Sequence, residues 1–155
     1  LAFEGGEPGI LKRRPRRPEE RIFNRRMIEQ VAVAGLWMGL VGFGVFAYLV
    51  RVVGMEVPEA RNLLLLLMVL FENVHIFNCR SERRSAFRIP LSHNWLLIGT
   101  VALAQTAHIA AMWIPGLSGV LGIHPVSFHH WGLLLLLALS ILLVGELFKM
   151  VRRSP

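Results

Sequence analysis

One glutamate carries most of the chemical interest of this sequence. Glu72 stands in the run Phe71-Glu72-Asn73-Val74-His75-Ile76-Phe77-Asn78-Cys79, with only apolar and amide residues between it and Arg61 on one side and no further Lys, Arg or Glu before Arg80 on the other. In a helix, His75 falls three residues on, on the same face, with Met68 one turn before and Cys79 two turns after. Carboxylate oxygens suit hard cations or a titrating path, so Glu72 reads as a cation ligand or a proton carrier, with His75 as the second candidate for the cation site. The structural alternative is a protonated Glu hydrogen-bonded across a helix interface. Asn73 and Asn78 point elsewhere and are expected to bond to neighbouring helices. Gln105 and His108, at helical spacing, read as packing hydrogen-bonders, and Glu146, close to Lys149 and a helix end, as interfacial or salt-bridged. His124, His129 and His130 have no thiolate or carboxylate nearby and read as solvated rather than metal-binding.

The elements that must hold these residues follow from the distribution of charge. The chain has 155 residues, 54% of them hydrophobic and 17% charged. Between Arg26 and Arg51 the only charge is Glu29, and from Ile89 to Gly145 there is none. Such runs exclude a water-soluble globule and a disordered tail alike. A helix needs about 20 apolar residues to cross about 30 Å of hydrocarbon. Residues 31–50, 62–79, 94–114 and 131–148 meet that need, with Pro115-Gly116 and Gly122-Ile123-His124-Pro125 separating the last two. The predicted fold class is an all-α membrane protein with four transmembrane helices in an antiparallel bundle. A basic segment over 1–28 precedes a membrane domain over 29–153.

Fifteen of the seventeen Lys and Arg residues fall before the first span, between the second and third, or after the fourth. The positive-inside rule therefore makes both termini cytoplasmic. Trp95, Trp113, Trp131 and Tyr48 lie near span ends, where amphipathic rings favour the interface, whereas Trp37 sits deeper and is expected to pack on a neighbour. Gly35, Gly39 and Gly42 share one face of the first span and are expected to admit a neighbouring helix closely. Glu72 lies eight residues before Arg80, about 12 Å of helix, and so near mid-membrane, where a carboxylate costs about 2 to 3 kcal/mol.

Other functions are excluded by what the sequence lacks. All ten acidic residues are Glu, so no Asp nucleophile, Asp-held Mg²⁺ site or triad Asp exists in this chain. A single cysteine, Cys79, excludes an internal disulfide and multi-cysteine metal sites. The basic run Lys12 to Arg26 is broken by Pro15 and Pro18, and topology and anionic lipid explain it without nucleic acid. The opening Leu1-Ala2-Phe3-Glu4-Gly5-Gly6-Glu7-Pro8 reads neither as a signal peptide nor as a natural start, so the chain is expected to be a piece of something larger.

Across nearly its whole length the sequence resembles the C-terminal membrane domain of type II P-type ATPases, the calcium-pump-like cation transporters. Leu1-Ala2-Phe3-Glu4 with Glu7-Pro8 looks like the exit from the family's sixth membrane helix, Leu11 to Pro18 like the loop that follows, and the glycine-rich first span like the seventh helix. Phe71 to Ser85 resembles the eighth helix and its cytoplasmic exit. His108, Ile114-Pro115-Gly116-Leu117, Trp131 and Glu146-Leu147-Phe148-Lys149 look like the ninth and tenth. The resemblance implies that Glu72 matches an acidic calcium ligand. The position of His75 is Asn in the reticulum calcium pumps and Asp in sodium pumps; imidazole is a poor Ca²⁺ ligand but can titrate.

The resemblance further implies a parent pump that uses ATP and Mg²⁺, transports a cation such as Ca²⁺, and exchanges it for protons. Its partners are the bilayer, the remaining transmembrane helices and the cytoplasmic phosphorylation domain, with no nucleic acid. This chain alone is then not an enzyme and has no catalytic residue or cofactor, and the setting is a multi-pass protein of a bacterial-type plasma membrane. Two rivals stand beside this reading. One is a membrane redox subunit with haem held by His75 and His108, disfavoured because the two lie at different depths. The other is a non-catalytic remnant or assembly subunit.

Overall fold

In the computed structural model, which describes residues 24–152, each long apolar run closes into a helix between recognisable end signals. Helix α1 spans Arg25–Arg51 and is capped by Asn24, whose side chain accepts from the Met27 amide at 2.8 Å. Helix α2, Val57–Asn78, carries Pro58 in its first turn, where a missing N–H is free of cost. Helix α3, Trp95–Trp113, is capped by Asn94 through the Leu97 amide, and α5, Phe128–Val151, by Ser127. All four are long and apolar enough to cross a membrane. α1, α2 and α5 begin three to six residues before the predicted spans, because caps and polar first turns set helix ends while an apolar count sees only the middle, whereas α3 matches its predicted span to within one residue at each end.

The break between the last two spans is more structured than a pair of turns. Pro115 opens a short helix α4, Pro115–Leu121, and Gly122 closes it in the left-handed conformation, φ 62°. Single 3₁₀ turns, Ala86–Arg88 and Leu91–His93, lie in the connection from α2 to α3. Both described chain ends emerge at one end of the bundle, where Arg152 pairs with Glu29 and Arg25 pairs with the same carboxylate at 3.0 Å. The basic segment over 1–28, for all but its last residues, lies outside the described residues. So do the stretches at Leu1 to Pro8 and Leu11 to Pro18 that carry part of the family resemblance, and Arg153.

Helix α2 is the centre of the core. Leu63, Leu66, Leu67, Leu70, Phe71 and Val74 bury one side of it against Leu134, Ala138 and Ile141 of α5 and Ala34 of α1. Trp37 does pack on a neighbour, its indole N–H donating to Ser140 Oγ of α5 at 2.9 Å. The bundle is thus a core of α1, α2 and α5, with α3 meeting α2 less extensively and packing on the short helix α4. Near the far end, Ala111 and Met112 of α3 meet Ile123 in a separate small cluster.

The glycine expectation holds at only one of its three positions. A Cβ on Gly42 would lie 2.6 Å from the Met68 methyl, whereas at Gly35 and Gly39 it would have nothing within 4 Å among the described residues. The face of α1 that meets its neighbours centres on Ala34, Met38, Val41 and Val45, which leaves Gly35 and Gly39 on its flank. The tightest glycine is Gly145 of α5, where a Cβ would fall 2.5 Å from the Asn78 amide nitrogen. Asn78 cannot retreat readily, being fully buried and bonded through Nδ2 to the Ile141 carbonyl at 2.8 Å. Gly145→Ala is therefore expected to destabilise the bundle by about 1–3 kcal/mol through overpacking, read as a lowered unfolding midpoint in detergent, while Gly39→Ala leaves that midpoint unchanged.

Candidate functional site

Helix α2 presents three distinct faces, and the residues of chemical interest divide among them. The first is outward. Leu65, Glu72 and Cys79, spaced by seven, are all exposed and form a stripe along the helix. Among the described residues no hydrogen bond or ion pair reaches the Glu72 carboxylate. Cys79, a free thiol, is exposed on the same stripe, but Met68 turns inward to cover Gly42 of α1.

The second face turns toward α1 and α5 and carries His75. Its ring is half-buried and lines a narrow cleft with Gln30 and Ala34 of α1 and Gly145 and Phe148 of α5. Nδ1 of His75 is buried without a hydrogen-bond partner among the described residues. Three residues along the chain thus separate Glu72, on the open side, from His75, in the interhelical cleft.

The third face meets α3. Asn73 Nδ2 donates to Gln105 Oε1 at 2.9 Å, a bridge between α2 and α3, so the expected role of these two amides is met. His108 is half-buried, with Nε2 unpartnered among the described residues. Asn73 and His75 project about 200° apart around the helix. A helix approaching Asn73 cannot bring His108 to the cleft that holds His75, so the two imidazoles do not flank a shared haem.

Below Glu72, toward the end that carries the described termini, lies a polar cluster that sequence reasoning only partly anticipated. Glu146 and Lys149 do form an ion pair, at 3.6 Å. Lys149 was expected among the basic residues of the tail, yet its side chain is fully buried, and Nζ donates to the Asn78 backbone carbonyl at 3.1 Å. An ammonium there satisfies a carbonyl that the end of α2 would otherwise leave open, and complements the helix dipole. Glu146 in turn accepts from the Ala86 amide at 2.7 Å. Buried Arg80 completes the cluster by donating to the carbonyls of Ile89 and Pro90 at 3.1 and 3.0 Å. The signal for Lys149 was its spacing from Glu146 together with an amide-ended α2; no pattern within one helix shows which other helix end it meets.

The histidines at the opposite end bring no ligand set together. His124 and His129 are exposed, and His130 Nδ1 contacts Ser127 Oγ at 3.0 Å. Among the described residues no group of three His, Cys, Asp or Glu side chains is placed to hold a metal ion.

Comparison with known proteins bears on this arrangement directly, because the family model described as "Cation transporting ATPase, C-terminus" matches residues 1–151. The chain belongs to this family. It is 30% identical over its whole length to the "Probable cation-transporting ATPase F" of Mycobacterium tuberculosis (strain ATCC 25618 / H37Rv), covering 17% of that protein. It is 24% identical over 99% of its length to "Calcium-transporting ATPase 1" of Bacillus cereus, 19% of which is covered. Over 61% of its length it is 27% identical to the "Endoplasmic reticulum calcium ATPase srcA" of Aspergillus fumigatus, 10% of which is covered. This member of the cation-transporting ATPase C-terminal family therefore spans under one-fifth of the length of these relatives.

The buried Lys149 gives a test of the cluster. Lys149→Met removes a charge-assisted bond to the Asn78 carbonyl and leaves that acceptor open. The expected loss is about 1.5–3 kcal/mol, measured by denaturant unfolding in detergent, and an unchanged midpoint would show that the ammonium does not hold the end of α2.

Proposed function

We propose that the chain is the C-terminal part of the transport domain of an ATP-driven cation pump and that Glu72 is one ligand of the transported cation. The observation that carries the reading is the exposure of Glu72 on an outward stripe of α2, a helix long and apolar enough to cross a membrane, at the depth near mid-membrane that its distance from Arg80 predicts. A carboxylate facing lipid at that depth is costly. The cost falls away if that side of α2 is covered by further membrane helices and if a cation or a proton neutralises the charge.

In this reading the ionised carboxylate binds the cation with its oxygens, a donor type suited to hard cations such as Ca²⁺. It takes a proton when the cation leaves, which gives the exchange of cation for proton. ATP and Mg²⁺ belong to the parent's cytoplasmic domain, since a chain without Asp cannot itself carry an aspartyl phosphate. The basic residues gathered at the end with both termini orient that end to the cytoplasm, and the relatives in bacteria favour a plasma membrane. The ligand role goes to Glu72; His75, facing Gln30 and Gly145, packs the cleft between α1 and α5 behind it.

The experiment is cation-dependent phosphorylation of the parent protein by ATP. Glu72→Gln keeps the shape and removes the charge, and is expected to raise the half-saturating cation concentration at least about tenfold, equivalent to about 1.4 kcal/mol. His75→Asn is expected to leave it within about threefold. A cation dependence unaltered by Glu72→Gln removes Glu72 from the site.

A further inference from the structure

Among the described residues, one side-chain hydrogen bond joins α2 to α3, from Asn73 Nδ2 to Gln105 Oε1 at 2.9 Å. Asn73 follows Glu72 directly and lies seven residues before Arg80, about 10 Å of helix, so the bond shares the depth of the carboxylate. Around the axis Asn73 stands about 100° from Glu72, between the open stripe and α3.

The sense of that bond decides what is left over. A side-chain amide has one donating end and one accepting end. Asn73 commits its nitrogen to Gln105, and no donor reaches its oxygen among the described residues. Asn73 is half-buried, and Oδ1 is not one of the sealed polar atoms of the structure. It is an open, unpartnered acceptor at a depth where a bilayer offers no water to satisfy it, beside the carboxylate that the proposed function gives to the cation.

Gln105 is held in the same sense from behind. Its Nε2 and Nε2 of His108 are both sealed and without a partner among the described residues. Atoms so enclosed are met by a neighbouring protein group, not by water or lipid. The two residues stand one turn apart on one face of α3. An amide nitrogen only donates, and an imidazole nitrogen accepts when the ring proton sits on the other nitrogen. Turned toward each other they make a donor–acceptor pair, which commits Gln105 Nε2 to His108 and leaves Oε1 to Asn73.

We propose that Asn73 Oδ1 is a second ligand of the transported cation, and that Gln105, backed by His108, is the positioning residue that presents it. This rests on the reading of Glu72 as a ligand. Hard cations take amide carbonyl oxygens together with carboxylates. A cation held by both oxygens sits in the sector between the exposed stripe and α3, not straight outward from Glu72. The neutral amide adds a donor without adding a charge, so it supports the bound cation without raising the cost of the empty site in the membrane.

The test titrates phosphorylation of the parent protein by ATP with Ca²⁺, Mn²⁺, Na⁺ and K⁺ in turn, and reads the half-saturating concentration of each cation that activates it. Asn73→Leu keeps the volume and removes the oxygen, and Gln105→Leu removes only the orienting bond. Each is expected to raise that concentration at least about tenfold, the usual loss when a ligand or the group that orients it is removed. Because Gln105 acts through Asn73, the double variant is expected to match Asn73→Leu to within about threefold, whereas independent losses would multiply to about a hundredfold. The maximal phosphorylation level, which follows the amount of folded protein, is expected to stay unchanged; should Asn73→Leu lower it, Asn73→Ala removes the same oxygen with a smaller side chain. Half-saturation within about threefold of the unaltered protein in either single variant, or multiplied losses in the double variant, overturns the proposal. Glu72→Gln separates the two readings: a shift there with none in Asn73→Leu removes Asn73 alone, and no shift in either removes the whole site.

Discussion

A charged amine withdrawn from water must be surrounded by oxygen acceptors, and Lys149 finds them at the end of α2. Its bond to the Asn78 carbonyl, its pairing with Glu146 and the hold of Glu146 on the Ala86 amide tie α2, α5 and the intervening loop into one unit. Asn78 itself reaches the Ile141 carbonyl through its amide and lies against Gly145. The height of α2 relative to α5 is therefore set by directional polar contacts at one end, while the leucine-rich contact above them, which is not directional, supplies the area. Glu72 lies six residues before Asn78, about 9 Å along the helix, so whatever fixes Asn78 also fixes the depth of the carboxylate.

The helices were legible because hydrocarbon demands long apolar runs and internal satisfaction of the backbone. Their middles follow from the runs alone, but their ends depend on Asn24, Asn94 and Ser127 acting as caps, which an apolar count overlooks. Individual polar residues were legible as to type. Asn73 and Gln105 each read as hydrogen-bonders, and they bond to each other. What the sequence could not reveal was partnership across helices. Lys149 looks like one more tail cation, Gly145 like one more small residue in a leucine-rich helix, and both matter only because Asn78 of another helix arrives at their side.

The same limit applies to the candidate site. Spacing alone places Glu72 and His75 on one face, yet neighbouring helices divide that face between them. α1 and α5 claim the side that carries His75 and Met68, and none of the described helices covers the stripe of Leu65, Glu72 and Cys79. The bundle is thus two-sided in chemistry. One side is closed on its own leucines, and the other displays a carboxylate that only further protein could shelter in a membrane.

Helix α3 meets the rest of the described chain differently from the other three. Much of its surface is exposed, and the polar link to α2 is one pair of neutral amides at its middle. Such a joint sets the depth of α3, and the far end of the helix is held separately, where Ala111 and Met112 pack on Ile123. Drift among Leu, Val and Ile on its outer surface should therefore be tolerated long after the same exchanges in α2 had loosened the fold.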